Sequence, residues 1–301
     1  MDEMDLGIND EKIVSEKRKK KLGVPGGSEF YTKKVYAEEA AKKLFPNGKY
    51  FMGAWQLEGK GYCFGVYESY NVFMKYLMEK PVHKRFGYEI IPGGTQCNLF
   101  FDFEYYGKED ETDERILYTV KVISDDLFQK HGVKFVPQIS KGSRMTKDGM
   151  KISYHIVYSG VIYSNIDGNA LKNYAIHIKR LLGEHDDDGK LKKHGIDMEV
   201  YTKGRPLRTV MSCKREHAEY PLHNVTMDSS WHSDIGLSDH VYADDEKGVL
   251  GNFSITEHNN DCHKSVFIES NAIAIEYKME EKKDKSSTCK KTCAIRDCHK
   301  C

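Results

Sequence analysis

The spacing of apolar and polar positions changes several times along the chain, and each change marks an element. From residue 31 to 44 the spacing is helical, and Pro46-Asn47-Gly48 stops it. Residues 49–92 mix aromatics with glycines, and one helix is expected near 69–78. Residues 97–106, Cys-Asn-Leu-Phe-Phe-Asp-Phe-Glu-Tyr-Tyr, predict an aromatic-rich strand. Ile116, Val120, Ile123 and Leu127 form an apolar stripe that predicts a helix over 113–131, with Thr112 as its cap and Gly132 as its stop. Residues 134–140 and 150–158 predict two strands joined by a loop containing Asp148-Gly149. Leu171, Tyr174, Ile178 and Leu181 mark a second helix that ends at Gly183. An Asp-, Lys- and Gly-rich loop over 184–195 then leads to a short strand over 196–201.

The order β-α-β-β-α-β is the split βαβ, or ferredoxin-like, arrangement of an α+β fold. It places the fourth strand beside the first and the first beside the third, with helices on one face and the other face open. Strand side chains alternate. On the first strand Leu99, Phe101, Phe103 and Tyr105 suit the helix-covered face, so Asp102 and Glu104 take the other. On the third strand Ile152, Tyr154 and Ile156 pack inward, leaving Lys151, Ser153 and His155 outward. On the fourth strand Asp197 lies off the face of Ile196, Met198 and Val200. Three carboxylates therefore converge on one face, flanked by Ser153 and His155. Clustered carboxylates repel unless a cation lies among them, and hard divalent ions such as Mg2+ or Mn2+ take oxygen ligands. Two such ions are the known device for in-line displacement at phosphorus. Lys151 and His155 can meet phosphate oxygens, and the basic segment with Lys203, Arg205, Arg208, Lys214 and Arg215 follows the fourth strand. Each feature alone fits a surface strand or a solvated loop. Their convergence on one face points to metal-dependent phosphate chemistry.

Composition narrows the picture. The chain has 301 residues, 39% hydrophobic and 31% charged, enough apolar content for a core. Lys plus Arg equals Asp plus Glu at 46 each, which excludes a uniformly basic coat protein but not a local basic groove. No apolar run reaches the roughly 18 residues that span a bilayer, and the N-terminus lacks a secretory pattern, so an intracellular protein without a membrane partner is expected. No Gly-x-x-x-x-Gly-Lys-Ser/Thr motif is present. Residues 1–30 read as a flexible lead whose basic run 17–21 fits a nuclear-import signal, a nucleic-acid tether or, most commonly for such runs, a solvated tail. An N-terminal α/β module over 31–96, a catalytic module over 97–260 and a tail over 261–301 complete the expected organisation. Of the eight cysteines, Cys63, Cys97 and Cys213 suit small buried positions. Cys289, Cys293, Cys298 and Cys301, with His299, have the donor types and compact spacing of a zinc knuckle, and a reduced tail fits them as well.

At these residues the chain resembles the archaeo-eukaryotic primase superfamily, and within it the eukaryotic and viral primase-polymerase branch. The lead-in Tyr88-Glu-Ile-Ile-Pro92 and Leu99-Phe-Phe-Asp-Phe-Glu104 resemble the family's Asp-x-Glu motif. Lys151-Ile-Ser153-Tyr-His155 resembles its Ser-x-His motif. Asp197-Met-Glu-Val-Tyr-Thr-Lys203-Gly-Arg205-Pro-Leu-Arg208, with Lys214 beyond, resembles the third. The likeness covers about residues 86–216, with weaker similarity back to about 45. It implies the primase fold, an RNA-recognition-like βαββαβ module that makes and extends primers on single-stranded DNA from nucleoside triphosphates. It implies metal binding by Asp102, Glu104 and Asp197, and nucleotide binding by Lys151, Ser153, His155, Arg205, Arg208 and Lys214. It also implies a structural Zn2+ module after the catalytic part, although the cysteine spacing here is tighter than the family's. A separate helicase or single-strand-binding protein is implied as partner, and a nucleus or viral replication compartment as location. Two other functions stay open on the residues alone: a non-catalytic binder of single-stranded nucleic acid, and a metal-dependent nuclease.

Overall fold

The computed structural model describes residues 30–59, 61–132, 135, 137–164, 166, 169–184, 195–225 and 266–268. Among them the fold is mixed α+β, with two largely antiparallel sheets and four α-helices. The first sheet contains β1 (Phe30–Tyr31), β2 (Phe51–Gln56), β3 (Tyr62–Tyr67) and β4 (Gly87–Ile90). Helices α1 (Lys34–Leu44) and α2 (Tyr70–Met78) accompany it, and Ser69 caps α2 by accepting the Val72 N–H. The second sheet is built from β5 (Cys97–Tyr106), β6 (Pro137–Thr146), β7 (Gly149–Tyr163) and β8 (Gly195–Ile196). Helices α3 (Glu109–His131) and α4 (Ala170–Leu181) lie between those strands in sequence.

Three late strands join the two sheets' earlier strands. Strand β9 (Pro206–Arg208) pairs with β4 and so completes the first sheet, giving the order β1-β3-β2-β4-β9. Strand β10 (His223–Asn224) extends the second sheet beside β6, giving β10-β6-β7-β5-β8, while β11 (Val266–Ile268) runs parallel to β7. The first β-strand of the βαββαβ unit therefore lies between the third and fourth, as the pattern predicts. Ile116, Val120, Ile123 and Leu127 of α3 are buried against Phe101, Phe103, Ile152, Tyr154 and Ile156 in one core.

Several boundaries differ from the sequence expectation. Helix α3 starts a turn earlier than Asp113, so Thr112 lies inside it and is no cap; its hydroxyl accepts the Tyr154 O–H instead. Gly132 does end α3, with φ 66°, a conformation that costs glycine little. The loop expected before residue 150 is a tight turn at Lys147–Asp148, because β6 and β7 stay paired out to Thr146 and Gly149. Leu181 is exposed, and Ala175 helps fill the buried face of α4 instead. The strand expected over 196–201 stops at Ile196; Asp197 then caps a 3-10 turn, Met198–Val200, by accepting the Glu199 N–H. The face expected to be open is partly walled by the first sheet. Cys63, Cys97 and Cys213 are buried and unbridged. No described helix is long and apolar enough to cross a membrane. The lead 1–29, the segment 185–194 and the terminal residues Cys289, Cys293, Cys298, His299 and Cys301 lie outside the described residues.

Candidate active site between the sheets

Strand pairing assembles the site. In the β5–β7 register Asp102 sits opposite His155 and Glu104 opposite Ser153. The Asp197 N–H donates to the Asp102 carbonyl at 2.7 Å, which places the third carboxylate beside the first. These residues line a cavity of about 710 Å3. Arg205 and Arg208 reach the same cavity from the segment around β9, and Lys214 from the loop after it. Of the residues expected from sequence, Asp102, Glu104, Ser153, His155, Asp197, Arg205, Arg208 and Lys214 line this cavity; Lys203 and Arg215 do not, and Lys151 meets it only through its pairing with Glu104 at 2.6 Å.

The electrostatics are strained in one place. Burial, reinforced by Glu104 and Asp197, raises the Asp102 pKa from 3.8 to about 7. Its Oδ1 is buried and has no hydrogen-bond partner. The neighbouring ring explains why. Burial, and then Arg208, depress His155 from 6.5 to about 3, so the imidazole is neutral. Its Nδ1 lies 3.0 Å from the Arg208 carbonyl, which can only accept, so Nδ1 carries the proton. Nε2 then presents a lone pair to Asp102 Oδ1 at 3.5 Å, and two acceptors face each other. Only a proton or a cation there makes that contact attractive.

The same cavity carries a cluster of cationic side chains. Arg208 Nε is buried and unpartnered, and burial lowers the pKa of Arg208. Burial, Arg208, Arg144 and Lys151 all lower that of Lys214. Mutual repulsion of this kind favours a bound anion. Arg205 is partly neutralised by Glu199 at 2.9 Å.

Sequence reasoning missed Arg144, which lines the cavity and also carries a buried, unpartnered Nε. It sits directly opposite Lys151 in the β6–β7 register, so the signal was the hairpin length: once β6 extends past Ser140, Arg144 falls on the site face. Gln56, Tyr62, Tyr88 and Glu216 were missed too. Tyr62 and Tyr88 pack edge to face at 5.3 Å, Tyr88 donates to Gln56, and Gln56 donates to Glu216. Only the long-range β4–β9 pairing brings that wall to the site, and no local pattern announces it.

The donor set fits hard divalent cations, because Asp102 has a buried oxygen that nothing satisfies and two further carboxylates stand near it. Among the described residues no three His, Cys, Asp or Glu side chains stand together as a metal site. Glu104 is held by Lys151, and Asp197 Oδ1 by the Glu199 N–H. A second basic cavity of about 450 Å3 lies nearby, where Lys34, Lys42 and Lys203 face one glutamate, Glu38, beside the Pro92-Gly93-Gly94 loop. No family model matches the chain, and no curated protein matches it significantly.

Proposed function

We propose that this chain is a template-directed nucleotidyltransferase of the archaeo-eukaryotic primase type, which makes and extends primers on single-stranded DNA. One observation carries the reading: three carboxylates, one with an orphaned oxygen, share a single cavity with Arg144, Arg208 and Lys214. A nucleoside triphosphate with its divalent cations is the ligand whose charges complement both the carboxylates and the cations. Asp102, Glu104 and Asp197 would hold two Mg2+ or Mn2+ ions. When bound, these ions supply activation of the attacking hydroxyl and charge neutralisation at the leaving pyrophosphate.

The chain's own residues position the rest. Arg144, Arg208 and Lys214 hold phosphate oxygens, the arginines through forked donors suited to that geometry. Lys151 sits between the Glu104 carboxylate and the Tyr106 ring, which holds its ammonium at the cavity edge near the phosphates. The backbone carbonyl of Arg208 orients His155, and Ser153 adds a hydroxyl beside it. Tyr62 and Tyr88 give an aromatic wall for a base or sugar to lie against. The lysine cavity offers ammonium groups to the backbone of a bound strand. Catalysis would rest on placement and preorganised charge, with no covalent enzyme intermediate.

The test supplies labelled nucleoside triphosphates, a primed template and Mg2+ or Mn2+. Incorporation matched by pyrophosphate release, both lost in Asp102→Ala/Glu104→Ala, is expected. Strand cleavage without pyrophosphate release would make the protein a nuclease, and strand binding with neither product would make it a binding module.

A further inference from the structure

On the far side of Asp197 from the cavity, the fold holds a buried ion pair that the chemistry above does not use. Lys179 of α4 and Glu184 are only 1% and 2% exposed in their side chains, and their charged atoms meet at 3.0 Å. Strand β8 is the edge of its sheet, and Ile196 turns its outer N–H and C=O away from β5. The Ile196 N–H donates to Glu184 Oε2 at 3.2 Å, and the Ile196 carbonyl accepts from Lys179 Nζ at 3.1 Å. The pair therefore takes the place of a missing neighbouring strand. Tyr105 of β5 donates its hydroxyl to Glu184 Oε1 at 3.2 Å, which locks the carboxylate to the strand that carries Asp102 and Glu104.

The contact is close enough to dictate sequence. Gly195 has φ 90°, and a Cβ there would lie 2.0 Å from a Glu184 oxygen. Asp197 follows directly. Its own N–H is pinned to Asp102, and the Tyr201 hydroxyl, past the 3-10 turn, is pinned to the Phe100 carbonyl at 3.0 Å. Stability alone does not call for such a pair, since apolar replacements of similar volume in buried ion pairs are often neutral or stabilising. What apolar side chains cannot do is hold both main-chain polar groups of one residue, and so the peptide on each side of it, in a fixed place.

We infer that Lys179 and Glu184 are positioning residues that clamp the two peptides flanking Ile196 and so fix the Asp197 carboxylate beside Asp102, an inference that rests on Asp197 being a metal ligand. The residues bind no substrate; they set where a ligand sits, as the partners behind metal ligands do elsewhere.

The experiment uses the full chain and measures Mn2+ affinity by the resonance of free Mn2+, amide exchange at residues 196 and 197, and thermal midpoint. Variants are Glu184→Gln, the pair Lys179→Met/Glu184→Leu, and Asp197→Ala. Asp197→Ala must weaken Mn2+ binding; unchanged affinity would remove Asp197 from the metal site and overturn the inference with it. Given that loss, both clamp variants should lower Mn2+ affinity by about 10-fold or more, the effect typical of removing a ligand's supporting partner. Exchange at 196 and 197 should accelerate in both clamp variants; the thermal midpoint should fall in Glu184→Gln, which leaves the Lys179 ammonium buried without its counter-charge, and stay near wild type in the double variant. Wild-type Mn2+ affinity and exchange in a folded Glu184→Gln protein would overturn the clamp while leaving the nucleotidyltransferase reading intact. Should the double variant fail to fold, Glu184→Gln, which keeps the side-chain shape, decides alone.

Discussion

Replacing Asp102 by asparagine in metal-free protein should stabilise the fold while destroying its use. The carboxylate is 13% exposed in its side chain, and its pKa is raised from 3.8 to about 7 by burial first and then by Glu104 and Asp197. The folded chain keeps this proton up to about pH 7, whereas the unfolded chain releases it at about 3.9. Between those values the folded state binds more protons, so the group's contribution falls as pH rises and stays lost above pH 7. At 1.36 kcal/mol per pH unit the rise corresponds to about 4 kcal/mol, and relaxation with water entry in an open cavity leaves about 2 kcal/mol. Asparagine keeps the shape without the charge. At about pH 8 the variant should therefore be more stable by about 2 kcal/mol, or about 4–8 °C in Tm for a domain of this size. The opposite term from His155, whose pKa is depressed to about 3, is lost as pH falls below 6.5 and is common to both proteins. The difference between variant and wild type should therefore shrink through pH 7 and vanish near about pH 4. Thermal and urea unfolding in chelator across that range measures it. A variant less stable than wild type at about pH 8, or a difference that ignores pH, would refute the reasoning.

Three further outcomes follow from named contacts. Arg144→Ala should raise the nucleotide KM by about tenfold, the worth of one charge-assisted contact, with kcat changed far less, as steady-state kinetics will show. Lys34→Ala/Lys42→Ala/Lys203→Ala should reduce the salt slope of oligonucleotide affinity by about 2, at about 0.7 per phosphate contact, with mononucleotide binding unchanged. Gly195→Ala should destabilise the fold by about 2 kcal/mol or more in denaturant unfolding, since it forces a Cβ onto the Glu184 carboxylate at a positive φ.

How far the sequence could be read depended on the range of the interaction. The strand 97–106 and the stripe of α3 were legible because each is periodic within one element, and burial follows that period. Asp102, Glu104, Ser153 and His155 were legible because alternation on two paired strands is enough to bring them to one face. Asp197 was located for an incomplete reason: it reaches the cavity at the start of a 3-10 turn, not along a strand, since its side chain captures the Glu199 N–H. Arg144 was hidden by a polar stretch, Ser-Lys-Gly-Ser-Arg, that reads as loop but stays paired because β7 runs beside it. The Tyr62–Tyr88 wall and the Lys179–Glu184 clamp depend on contacts between segments far apart in sequence or on burial of charges, and neither leaves a local pattern.

The central claim is that the cavity joins nucleotides under the direction of a template. Its most direct test is incorporation on unprimed and primed homopolymer DNA, offering each labelled nucleoside triphosphate singly with Mg2+ or Mn2+. The account predicts that only the complementary nucleotide enters product, on the primed template and on the unprimed one, and that Asp102→Ala/Glu104→Ala abolishes it. Incorporation that ignores the template, or that persists in that variant with the same metal requirement, would contradict the account.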